Sequence, residues 1–215
     1  MEYEELLDQI IELRDAVYEN VDNDQLFKVK PQLDQIRELA EQIQDEDDTR
    51  KIIDKISVFD FLMELYAHTG RQRLSNECCY KCIELSRRLM DQDNRVYEPA
   101  RDYYRSYIAN RLLLDGDTSE DLEDELYQYL NQEGLGLREM TLEYFSTAPK
   151  HDPVEDSEEY LNVIDEVEEK LYEALEEHKE EEDYGEQYNR MKKKILWEDY
   201  HIEWKTPQEY NEENQ

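Results

Sequence analysis

Glycine and proline are scarce in this chain of 215 residues, five of each, and none of them clusters into a linker. Strand-rich folds need many tight turns, so that scarcity points to long helices joined by short connections. Cysteine is scarcer still. Cys78, Cys79 and Cys82 are the only ones, too few and too close together for the disulfide framework of a small secreted protein. Basic residues are few, 25 Lys and Arg against 58 Asp and Glu, for a formal net charge of −33. A field of that sign repels nucleic-acid phosphates and anionic membrane surfaces, so neither direct nucleic-acid binding nor membrane attachment is expected. No apolar run approaches the roughly 20 residues of a membrane span. The acidic opening, Met1 to Glu5, lacks the basic start and apolar run of a secretory signal, which makes the cytoplasm the expected location.

Aromatic residues are present in strength: 17 Tyr, four Phe and two Trp, spread through periodic segments. They supply large buried areas, enough to set a folded protein against the disorder that 39% charged residues would otherwise suggest. Apolar positions recur at helical spacing. Leu6, Ile10, Leu13 and Val17 make a first helix over about 2–20, ended by Asp22, Asn23 and Asp24. Leu33, Ile36, Leu39 and Ile43 make a second, opening near Pro31, where a missing amide hydrogen does no harm. The acidic residues at 45–48 suit the electropositive start of a third. Further helices are expected over 72–90, from Pro99 to Asp115, from Thr118 or Ser119 to Gly134, and over 137–147. A long acidic helix then carries Leu161, Ile164, Val167, Leu171 and Leu175, and after a joint at Gly185 a last helix carries Tyr188, Met191 and Ile195. No segment alternates as a strand does, so the expected class is all-α. The expected organisation is a helical-hairpin domain over 1–148, an acidic C-terminal helical hairpin over 149–204, and a tail over 205–215.

The third and fourth helices hold the most specific pattern. Phe59, Leu62 and Tyr66 precede Gly70, and Ser75, Cys79 and Cys82 follow it. Leu62 and Tyr66 lie one turn apart, Gly70 can take the positive φ of a tight turn, and small Ser75 and Cys82 let two helices approach closely. Residues 56–89 thereby resemble a tetratricopeptide repeat, a 34-residue helical hairpin. Met63, Cys79 and Arg87 depart from its usual small residue, aromatic and proline. The resemblance implies a short stack of antiparallel hairpins, since a single repeat cannot bury its own faces. It also implies a noncatalytic binding role. Asp60, Glu64 and His68, spaced by four on the first repeat helix, stand where that family lines its peptide groove. Repeats that clasp a terminal carboxylate use Lys, Arg and Asn there, whereas the two carboxylates here favour a basic or mixed-charge protein segment.

Chemistry-bearing motifs are missing. The histidines His68, His151, His178 and His201 lie on separate elements, outside any HExxH, and phosphate-binding, dinucleotide-binding and nucleophile-elbow glycine motifs are absent. The acidic stretch from Asp115 fails as a calcium loop, with Glu120 and Leu126 at the positions that require Gly and Glu. The cysteines read as core fillers. No catalytic residue, metal or cofactor is therefore expected. The expected function is a protein-binding scaffold with an acidic, tyrosine-rich groove. A second reading rests on charge alone: between His151 and Asn189 stand 17 acidic residues against two basic ones, an array that could mimic nucleic acid and occupy a DNA- or RNA-binding protein. The basic run Arg190 and Lys192 to Lys194, beside Trp197, is expected to pair with the protein's own carboxylates.

Overall fold

The computed structural model describes residues 2–23, 25–45, 48–93, 98–115, 151–179, 181 and 183–213. Among them are eight α-helices and no strand: α1 (Tyr3–Asp22), α2 (Val29–Gln42), α3 (Thr49–His68), α4 (Gln72–Asp93), α5 (Glu98–Asp115), α6 (Glu158–Leu175), α7 (Tyr184–Tyr200) and α8 (Pro207–Glu213). The chain is all-α, as the scarcity of turn residues predicts. The helices expected between Thr118 and Thr147 lie outside the described residues. None of the described helices is long and apolar enough to cross a membrane.

Local signals fix the helix ends. α2 opens two residues before Pro31, because any first-turn position lacks an intrahelical amide partner and tolerates proline. Asp48 caps α3, its carboxylate accepting from the Arg50 and Lys51 amides at 3.0 and 3.3 Å. Gly70 ends that helix at φ 73°, and the Arg71 amide closes onto the Tyr66 carbonyl at 2.7 Å. A Cβ at Gly70 would meet nothing within 4 Å, so backbone angle rather than space demands glycine there.

Residues 1–14 and 33–148 form one compact unit, and residues 15–32 and 149–215 another. In the first unit, neighbouring helices pack in sequence order, α3 on α4 and α4 on α5. α3 touches both α1 and α5. The Tyr3 hydroxyl donates to Asp54, the Arg14 guanidinium lies 4.8 Å over the Phe61 ring, and Tyr103 of α5 bonds Asp60 of α3. α2 and α4 meet through Arg37 and Glu77 at 2.8 Å. Cross-links join the two sets: the buried Tyr66 hydroxyl donates to Asp34 at 2.8 Å, and Arg87 Nε to the Tyr104 hydroxyl at 2.9 Å. Phe59, Leu62, Tyr66, Ser75, Cys79 and Cys82 are all buried at the α3–α4 hairpin, as their spacing predicts.

Buried charge is confined and partnered. Lys55, 6% exposed, donates to the Ile43 carbonyl at 3.1 Å and pairs with Asp45 at 3.5 Å; Asp45 also receives Arg88 at 3.0 Å. Burial alone would lift the Asp45 carboxyl, but Arg88 and Lys55 outweigh it and hold it below its ordinary value.

The second unit is centred on α6 and α7, which run antiparallel around Tyr160, Ile164, Val167, Leu171, Leu175, Leu196, Ile202 and Trp204. Leu161, expected inward, is only partly buried; its neighbour Tyr160 takes the core position. α7 ends on His201 in the left-handed region at φ 58°, and the Ile202 amide reaches back to the Leu196 carbonyl at 2.9 Å. Asp152 fastens the unit's first segment to its last, accepting from the Val154 amide at 3.1 Å and the Lys205 amide at 2.7 Å. The segment beyond Trp204, expected as a tail, carries the short helix α8.

Candidate partner-binding surfaces

The α3 stripe is divided by its surroundings. Glu64 and His68 are exposed, whereas Asp60 is partly buried and bonded to the Tyr103 hydroxyl. Burial lifts the Asp60 carboxyl above its ordinary value, and the Tyr103 bond pulls the other way without cancelling it.

The cysteines are core. Cys78, Cys79 and Cys82 are free and at most 1% exposed. Burial pushes the Cys78 and Cys79 thiols up to about 12 and Cys82 higher still, which keeps them as neutral core fillers. Among the described residues, no three His, Cys, Asp or Glu side chains converge as a metal site.

A mixed-charge groove of about 440 Å³ opens on the first unit, lined by Arg37, Glu77, Tyr80, Tyr107 and Arg111 among others. The Tyr80 and Tyr107 rings pack at 5.3 Å. Asn76 lines it too, 8% exposed, with its amide oxygen unpaired among the described residues. An unmade bond at a buried acceptor is costly, and a donor entering the groove would satisfy it.

The second unit holds a cavity of about 330 Å³, and it is the most tyrosine-rich site described. Leu26 and Phe27 come from a turn of 3₁₀ helix, Glu168 and Tyr172 from α6, Tyr184 and Tyr188 from α7, and Lys179 from the connection between those two helices. Phe27 packs on Tyr172 at 5.8 Å and Tyr184 on Tyr188 at 6.2 Å, both pairs tilted. Lys179 places its ammonium 4.5 Å from the Tyr172 ring centre, within cation–π range. Glu168 accepts from the Tyr188 hydroxyl at 2.5 Å and from Lys192 at 3.0 Å. Burial and that carboxylate together push the Tyr188 hydroxyl far up, so it stays a donor. This cavity leaves little mark in the sequence, because Phe27 lies more than a hundred residues from its neighbours. The four-residue spacings of Glu168 with Tyr172 and Tyr184 with Tyr188 were its only local trace.

The basic run behaves largely as expected. Lys192 pairs with Glu168, Lys193 with Glu209 at 2.6 Å, and Lys194 loosely with Glu198 at 3.8 Å. α6 turns Glu158, Glu159, Glu166, Glu169 and Glu173 to solvent. No protein-family model, curated protein or solved structure matches this chain.

Proposed function

We propose that the protein is a noncatalytic scaffold that binds a basic or mixed-charge segment of another protein on an acidic, tyrosine-rich helical surface. The observation that carries the reading is the tyrosine-lined cavity of the second unit. Its Tyr172 ring already receives the chain's own Lys179 ammonium, and a partner's Lys or Arg presents the same chemistry to the same ring. The mixed-charge groove of the first unit, with its Tyr pair and the unpaired Asn76 oxygen, supports a second point of contact for the same segment class. Residues 56–89 are taken as one tetratricopeptide-like repeat. The sequential packing of α3, α4 and α5, the positive φ of Gly70 and the burial of Ser75 and Cys82 support that reading. In it, Glu64 and His68 belong to the exposed stripe and Asp60 is its anchored end.

The exposed carboxylates of α6 favour one competitor, a nucleic-acid mimic. Affinity capture from the native host at about 0.05 M and about 0.5 M salt separates the two, because binding dominated by charge arrays falls steeply over that range. The scaffold reading expects one reproducible partner retained at the higher salt. Capture of only nucleic-acid-binding proteins, all lost at the higher salt, would favour the mimic instead.

A further inference from the structure

A groove of about 410 Å³ on the second unit gathers three basic side chains, Arg190, Lys193 and Lys194 of α7, with Trp197 of the same helix and with Ile202, Glu203 and Trp204 after its C-terminus. We propose that this groove is a second docking site, one that takes an acidic protein segment bearing a bulky apolar side chain.

The floor is built and rigid. Trp204 is 3% exposed, and its indole N–H donates to Glu155 at 2.7 Å. The left-handed turn at His201 brings Ile202 and Trp204 back toward α7, and the His201 ring lies edge-on to Trp197 at 6.1 Å. Trp197 itself is 57% exposed, the most exposed large hydrophobic residue described. Leaving that much indole in water is unfavourable unless something covers it, and Trp and Arg are the residues around which binding energy concentrates at interfaces. Arg190, exposed on the same face of α7, makes no ion pair among the described residues. Lys194 is 66% exposed, with only its loose contact to Glu198. Lys193 is occupied by Glu209, and Glu203 also lines the groove, so the positive charge on offer comes from Arg190 and Lys194.

The occupant follows from charge and shape. A basic segment would meet Arg190 and the loosely paired Lys194. A small organic anion would need walls that enclose most of its surface, and a wall formed by a half-exposed Trp197 leaves the groove open. An anionic membrane would bring a whole charged plane against a chain of net charge −33. A flexible acidic segment escapes that objection, since at physiological salt it senses charges only within about 8 Å. Its carboxylates would face Arg190 and Lys194 while an aromatic or aliphatic side chain packs between Trp197 and Ile202. This site is separate from the tyrosine-lined cavity and does not depend on it.

The test uses the full chain and a short fluorescein-labelled peptide in which Asp and Glu flank one Phe-Leu pair, read by anisotropy. Saturable binding is expected, weakened about tenfold or more both by Arg190→Glu with Lys194→Glu and by Trp197→Ala. These exposed positions leave the fold intact, which far-UV circular dichroism checks. No saturable binding, equal affinity for all variants, or competition by indole acetate at peptide-like concentrations would overturn the proposal. So would Trp197-dependent binding of phosphatidylserine vesicles in place of the peptide.

Discussion

Two titrating side chains separate groups that hold the fold from groups the fold must hold. His151 lies 3.0 Å from Asp156, and that hydrogen bond raises its pKa above the ordinary 6.5. A raised value in the folded state means that the charged pair stabilises fully below 6.5 and that the contribution disappears as pH climbs through the raised value. Unfolding followed across that window should show stability falling with pH, and His151→Gln should flatten the slope. Asp60 carries the opposite sign. Its folded carboxyl sits above the ordinary 3.8 because it is desolvated, so ionisation at neutral pH costs stability and acidification through the window recovers it. Thermal melts at neutral pH should therefore find Asp60→Asn as stable as the parent or more so. If binding of a basic partner is also lost in that variant, the carboxylate serves recognition; a marked loss of stability would instead make Asp60 structural.

The elements show what helical spacing can and cannot reveal. α3 was legible in its buried Phe59, Leu62 and Tyr66 and in its stop at Gly70, while the acidic residues at 45–48 marked its start without singling out Asp48 as the cap. Period, first-turn charge and glycine are all local signals there. The long acidic helix was legible at Ile164, Val167, Leu171 and Leu175 and differed only at its first position, because Tyr160 and Leu161 are both apolar and only the packing around them decides which turns inward. Lys55 was not legible at all. A lysine on an otherwise apolar face is buried here because Asp45, ten residues earlier, and Arg88, on the next helix, complete its surroundings. That cluster makes an element-scale prediction. Asp45→Ala leaves the Lys55 ammonium buried without a counter-charge, for a loss of about 3–5 kcal/mol in denaturant unfolding. Replacing Asp45 and Lys55 together by apolar residues of similar size should restore most of it. A small effect of the single substitution would mean that Lys55 reaches water in solution.

At the scale of the whole molecule, charge is abundant and unevenly spent. Most lysines of the second unit are committed to its own carboxylates, as Lys170 is to Asp199 at 2.8 Å and Lys192 to Glu168 at 3.0 Å. That leaves the exposed faces of α6 strongly negative. Such a surface draws basic segments at long range, but the draw is unspecific and screened by salt. Selectivity has to come from shaped sites, and the tyrosine-lined cavity is the one whose chemistry matches a cation most closely. The site half of the sequence reading was the less legible half for that reason. The α3 stripe could be read from a spacing of four, whereas Phe27, Tyr172 and Tyr188 are assembled only by the fold.

The central claim is that a partner's cation enters that cavity. A labelled peptide of alternating Lys, Arg and Gly residues, titrated into the full chain at physiological salt, tests it directly. The account predicts saturable binding that Tyr172→Ala and Glu168→Gln each weaken by about 1–2 kcal/mol and that Lys179→Ala strengthens by vacating the ring. Affinity unchanged across all three variants, or no saturable binding, would contradict it.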